Sequence, residues 1–198
     1  MRRSRRRAMA EGLVVGIDEA GRGPWAGPVV AAAVALPPLP PAGIADSKAL
    51  TRRARAAVYA ALLATARIGV GAASAAEIDR LNVLAATLLA MRRAFAALGI
   101  EADRALVDGD RLPRLPCPAS AIIGGDACEP AIAAASIVAK VTRDRLMARL
   151  AARYPGFGWE RNAGYGTPEH RAALARLGVT PHHRRSFAPI ARLLAGDG

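Results

Sequence analysis

Three short apolar runs in this chain each stop at a carboxylate beside glycine, and this recurrence constrains the fold more than any other feature. Residues 13–17 (LVVGI) lead into Asp18-Glu19 and then Gly21-Arg22-Gly23-Pro24. Residues 104–107 (RALV) stop at Asp108-Gly109-Asp110, and residues 121–123 (AII) at Gly124-Gly125-Asp126. Short apolar stretches bounded by turn residues read as buried strands. Residues 29–36 (VVAAAVAL), stopped by the PPLPP cluster, and residues 67–73 (RIGVGAA) add two more. Helices are predicted from Thr51 through residue 66, as one long element over 75–98 stopped by Gly99, and from Pro130 to Tyr154. Two shorter helices follow, at 168–177 and after PHHRRSFAP. Two strands followed by strands alternating with helices predict an α/β sheet of mixed direction.

In such a sheet the strand ends gather on one edge, where ligands bind. Asp18, Glu19, Asp108 and Asp126, distant in the chain, are therefore expected to converge. Like charges at close range repel, so the cluster suits divalent cations with oxygen ligands, Mg2+ or Mn2+. Two such ions clamp an in-line phosphoryl displacement. Adjacent strand residues face opposite sides, so Asp18 and Glu19 share one site only if the strand ends there; Gly21 and Gly23 suit that release. Asp110 and Asp144 read as ordinary solvent or capping acids.

The net charge of +12, with a sequence pI near 11.3, suits a nucleic-acid partner. Of the 28 Lys+Arg residues only Lys48 and Lys140 are lysine, which marks two positions where a compact ammonium is kept. The opening MRRSRRR reads either as an arm attracting polyanions or as a solvated tail. No apolar run reaches the roughly 18 residues of a membrane helix. Cys117 and Cys128 make neither a disulfide framework nor a zinc motif, which fits a reducing cytoplasm. His170, His182 and His183 have no zinc spacing and suit structure or phosphate contact. Trp25 and Trp159 read as base-stacking or packing residues, and Arg143-Asp144 as a local ion-pairing site.

The segments GIDEAGRGPWAGPVV, DSKALT, EIDRLN, VDGD, GGDA with IAAASIVAKVTRD, and NAGYGTPEH with PHHRRSF occur in this order. Together, from about residue 13 to 189, they resemble the type 2 ribonucleases H, on the ribonuclease HII branch. The resemblance implies a ribonuclease H-like fold: a five-stranded mixed sheet flanked by helices, with a helical C-terminal extension. It divides the chain into a basic flexible arm (1–12), a catalytic domain (13–155) and a substrate-contacting extension packed on it (156–198). It implies endonucleolytic hydrolysis of RNA in RNA–DNA hybrids, and cutting on the 5′ side of single ribonucleotides in duplex DNA. The products would be 3′-hydroxyl and 5′-phosphate ends, and the enzyme would be a monomer.

By the same resemblance Asp18, Glu19, Asp108 and Asp126 are the metal-site acids. Gly21, Arg22, Gly23, Ser47, Lys48 and Tyr165 would contact the nucleic acid. The missing Cβ atoms of Gly21 and Gly23 let backbone approach a ribose, while Gly164 and Gly166 leave room for the Tyr165 ring beside the next sugar. Gly125 and Ala163 depart from the family pattern, each replacing a commonly basic residue along the expected substrate path. A junction resolvase on the same fold is disfavoured by the Gly-Arg-Gly and Gly-Tyr-Gly segments, and a catalytically dead hybrid-binding protein by the presence of all four acids.

Overall fold

The computed structural model describes residues 12–44 and 50–196. Its strands are β1 (Val14–Ala20), β2 (Val29–Ala35), β3 (Arg67–Ala73), β4 (Arg104–Asp108) and β5 (Ala119–Ile122). They form one sheet in the order β3-β2-β1-β4-β5. β2 pairs antiparallel with both β1 and β3, whereas β1–β4 and β4–β5 are parallel, so the sheet is mixed as expected. The helices are α1 (Arg52–Thr65), α2 (Ala75–Leu81), α3 (Val83–Ala97), α4 (Pro130–Arg153), α5 (Trp159–Asn162), α6 (Pro168–Leu177) and α7 (Ala188–Ala195). Among the described residues no helix is long and apolar enough to cross a membrane.

The two faces of the sheet follow the strand alternation. Val15, Ile17, Val29, Ala31 and Ala33 pack with Ala90, Ala94 and Phe95 of α3. Ala32 and Val34 pack on the other face with Leu62 of α1 and Ala134, Ile137 and Val138 of α4. Alanine on both sides makes these layers thin. At Gly16 they close completely: a Cβ built there would lie 2.1 Å from the Ala131 carbonyl carbon of α4. A third cluster, with Ala26, Met147, Trp159, Leu174 and Ile190 wholly or nearly buried, ties the C-terminal helices to α4 and to the loop after β1.

Three expectations need correction. The long helix over 75–98 is two helices, broken at Asn82, whose φ of 69° leaves the helical region. Asn82 ends α2 and caps α3, its side chain accepting from the Ala85 amide at 3.0 Å. β1 does not stop at Asp18-Glu19 but runs to Ala20, with Asp18, Glu19 and Ala20 still paired to β2. Asp126 is not at a strand end: β5 finishes at Ile122, Gly124 turns the chain at φ 67°, and Asp126 rides on a short 3₁₀ turn, Gly125–Ala127.

Candidate active site

Although β1 continues, its pairing with β4 stops at Ile17–Val107 while its pairing with β2 goes on. Beyond that point the edge facing β4 is open, and the strands part into a cleft. Asp18 and Glu19 still alternate, Asp18 lying on the α4 side and Glu19 towards α3, yet both border this opening. Asp108, the last residue of β4, supplies the third carboxylate. The cleft, of about 430 Å³, is also lined by Gly21, Arg22, Gly23, Tyr165, Ser136 and Lys140.

The acids sit in a setting that resists their ionisation. Burial raises the Asp18 carboxyl well above its ordinary value, and the charges of Glu19 and Asp108 add to this. A hydrogen bond with Ser136 and one from the Glu19 amide, at 2.6 Å, oppose it. Burial also raises Glu19, against the Arg22 guanidinium 3.5 Å away. Asp108 accepts from the Gly125 amide at 2.8 Å, so the turn carrying Asp126 is tied to the end of β4. Asp126 itself is buried and lies outside the cleft lining. Three of the four expected acids therefore share the cleft, and the fourth flanks it. Among the described residues no three acidic, imidazole or thiol groups are drawn into a ready-made cage. The donors are nevertheless carboxylate oxygens in a partly buried cleft, and a hard divalent cation would favour their ionised forms, so the residues fit such an ion.

Ser47 and Lys48 lie outside the described residues. Tyr165 is half exposed and stands beside Gly23, where a Cβ would meet its ring at 3.4 Å. Gly164 and Gly166, which flank it, also admit the loop after β1. A Cβ at Gly164 would lie 2.5 Å from the Ala26 carbonyl oxygen, and one at Gly166 would strike the Trp25 ring. At Gly21, with φ of 99°, the vacancy is filled by Arg143 rather than left for a ribose; only Gly23 stays open on the cleft side.

Arg143 is the largest departure from the sequence reading. It is buried and forms no local ion pair with Asp144; it donates to the carbonyls of Pro28 (3.0 Å), Ala163 (2.9 Å) and Ala26 (3.2 Å). The pair on this helix is instead Lys140–Asp144, at 2.8 Å. The retained Lys140 does stand in the cleft, whereas Ser136 and Arg55, also in its lining, were not singled out. The signal for Ser136 was available: Ser136, Lys140 and Arg143 recur at i, i+4 and i+7 on an alanine-rich helix, so they share a face. Arg184 joins the set, wholly buried against the carbonyls of Gly21, Arg22 and Gly27.

His170 and His183 are buried and structural. His170 accepts from the Trp159 indole at 3.1 Å, and its ring lies 3.0 Å from that of His183. Desolvation pushes His183 down to about 4, with the neighbouring His170 contributing, so it stays neutral near pH 7. Trp25 packs against His170 and under Arg171, and Trp159 is wholly buried.

The family model for ribonuclease HII matches residues 15–190. The ribonuclease HII of Paramagnetospirillum magneticum is 60% identical over 188 residues, covering 92% of this chain and 94% of its own. That of Granulibacter bethesdensis is 61% identical over 193 residues, covering 94% and 88%. Among solved structures, the ribonuclease H2 of Pyrococcus horikoshii superposes with a TM-score of 0.78 at 27% identity, over 93% of this chain and 98% of that one. A sheet that parts into an acidic cleft, the ordered motifs around it and these likenesses agree: the chain belongs to the ribonuclease HII family and is a ribonuclease H enzyme.

Proposed function

We propose that the enzyme hydrolyses the RNA strand of RNA–DNA hybrids and also cuts on the 5′ side of single ribonucleotides embedded in duplex DNA, leaving 3′-hydroxyl and 5′-phosphate ends. The observation that carries this reading is the shared cleft: Asp18, Glu19 and Asp108 border the same opening as Gly21, Arg22, Gly23 and Tyr165. Chemistry on a phosphodiester and recognition of the adjoining sugar then occur side by side.

In this reading Asp18, Glu19, Asp108 and Asp126 hold two divalent ions, magnesium or manganese. Bound there, the ions supply Lewis-acid chemistry, activating the attacking water and stabilising the leaving 3′-oxygen of an in-line displacement. Arg22, exposed at the rim, meets a backbone phosphate. Lys140, one turn after Ser136 on α4, presents an ammonium to the same cleft. Tyr165 lays its ring against the sugar following the ribonucleotide and bonds the 2′-hydroxyl, the group by which RNA is distinguished from DNA. Ser47 and Lys48 contact the substrate backbone. Residues 156–198 act as the substrate-contacting extension, and the enzyme works as a monomer in the cytoplasm, where its two free cysteines stay reduced.

A duplex carrying one ribonucleotide, incubated with magnesium or manganese and resolved on a denaturing gel, tests the reading. The parent should nick on the 5′ side of the ribonucleotide and leave the all-DNA duplex whole. Asp108→Asn should fold and fail to cut. Uncut ribonucleotide duplex with the parent, or parent-like cutting by the variant, would overturn it.

A further inference from the structure

Arg184 is wholly buried, and its guanidinium serves carbonyl oxygens of the loop after β1. Nε and Nη2 donate to Gly27 O at 3.0 and 2.9 Å, Nη1 to Arg22 O at 2.7 Å, and Nη2 also to Gly21 O at 2.5 Å. Asp79, whose charge reaches this arginine, spends its carboxylate on the amides of Arg185 and Ser186 and on the Ser186 hydroxyl. A buried cation costs free energy that these carbonyl bonds offset only if the geometry is kept. Burial and the nearby Arg143 charge bring its pKa down to about 9, which still leaves it protonated at neutral pH.

The carbonyl of a trans peptide points away from the N–H that follows it. Drawing the carbonyls of Gly21 and Arg22 inward therefore turns the amides of Arg22 and Gly23 outward, towards the cleft those residues line. Neither amide donates to another group among the described residues. Two successive outward N–H groups form a concave donor pair suited to one oxygen acceptor. We propose that Arg184 is a positioning residue that turns these two amides to receive the 2′-oxygen of the substrate ribose. The proposal rests on the reading of the activity given above. A guanidinium is needed because its donors lie in a rigid planar fork that spans three carbonyls, whereas an ammonium is a compact point charge. Arg143 performs the matching service at the far end of the loop, on the carbonyls of Ala26 and Pro28.

Two measurements test this. In an Asp108→Asn background that keeps the duplex uncut, fluorescence anisotropy compares a single-ribonucleotide duplex with the all-DNA duplex of the same sequence. Arg184→Lys should reduce the preference for the ribonucleotide roughly five- to tenfold, about the worth of one hydrogen bond, with all-DNA affinity unchanged. Equal weakening on both duplexes would overturn the proposal, because a purely structural role disturbs them alike. The second measurement needs no Arg184 variant. The amide resonances of Arg22 and Gly23 in the 15N-labelled Asp108→Asn protein should shift with the ribonucleotide duplex and stay in place with DNA. No shift, or the same shift with both, would overturn it. If the protein with Arg184 intact shows no preference between the duplexes, it is the reading of the activity that fails.

Discussion

Gly16→Ala tests whether the cleft depends on how closely α4 lies on β1. The new Cβ would stand 2.1 Å from the Ala131 carbonyl carbon and 2.4 Å from the Ile132 nitrogen. Ordinary contact begins near 3.4 Å, and these are backbone atoms that cannot rotate aside. The helix must therefore retreat by about 1 Å, an overpacking that costs roughly 1–3 kcal/mol. For a chain of this size that lowers the melting temperature by roughly 2–12 °C. The retreat carries Ser136, Lys140 and Arg143 with it, since all three project from α4. A misplacement of about 1 Å in a catalytic site costs on the order of 100-fold in rate. The assay pairs thermal melting with kcat/KM measured well below the transition. Gly23→Ala is the control for stability: its Cβ would meet only the Tyr165 ring, at 3.4 Å, so melting should change by less than about 0.5 kcal/mol. A Gly16→Ala protein that melts and cuts like the parent would refute the reasoning.

Other outcomes follow from the same geometry. Burial holds protons on Asp18 and Glu19 above their ordinary values of 3.8 and 4.5, so ionising them costs stability as pH rises through the raised values. In chelator, Asp18→Asn should melt above the parent at pH 7 and lose that advantage towards pH 4; the opposite order at pH 7 would contradict the burial argument. Tyr165→Ala should impair cutting at a single ribonucleotide much more than cutting of a long hybrid, and equal losses would remove its junction role. Substrate binding should weaken steeply with salt, by a log–log slope of about −0.9 for each phosphate neutralised. Deleting Arg2 to Arg7 should reduce affinity for all duplexes alike, and a moved cleavage position would show that the arm selects substrate.

The strands were legible because each is a local pattern: VVAAAVAL and RALV stop where the chain must turn, and alternation assigns the faces. Asn82 hid its break because an asparagine within a helical pattern is unremarkable until its φ is known. Asp126 is expected at a strand end because an apolar run stops just before it, and no local pattern announces the 3₁₀ turn that carries it instead. The larger misreadings concern contacts across long stretches of chain. Arg143 and Arg184 bond carbonyls 115 to 163 residues away, and no local spacing announces such a bond. Gly21, Gly164 and Gly166 were rightly seen as positions where bulk is excluded, but the excluded neighbour is the protein itself. Lys140 is the converse case: a compositional oddity marked it as a position that keeps an ammonium, and the geometry puts it in the cleft.

The loop that bears Gly21, Arg22 and Gly23 is held by parts of the chain made much later. Trp25 N donates to Gly164 O at 2.8 Å, Gly27 N to His182 O at 2.9 Å, and Arg184 reaches back 162 residues to Arg22. During synthesis at about 5–20 residues per second, those partners follow the loop by roughly 7–32 s. Through that interval a nascent chain has its first carboxylates in hand but lacks the braces that shape this loop. The loop beside these acids therefore takes its final shape only after Arg184 has been made, long after the strand that leads into it.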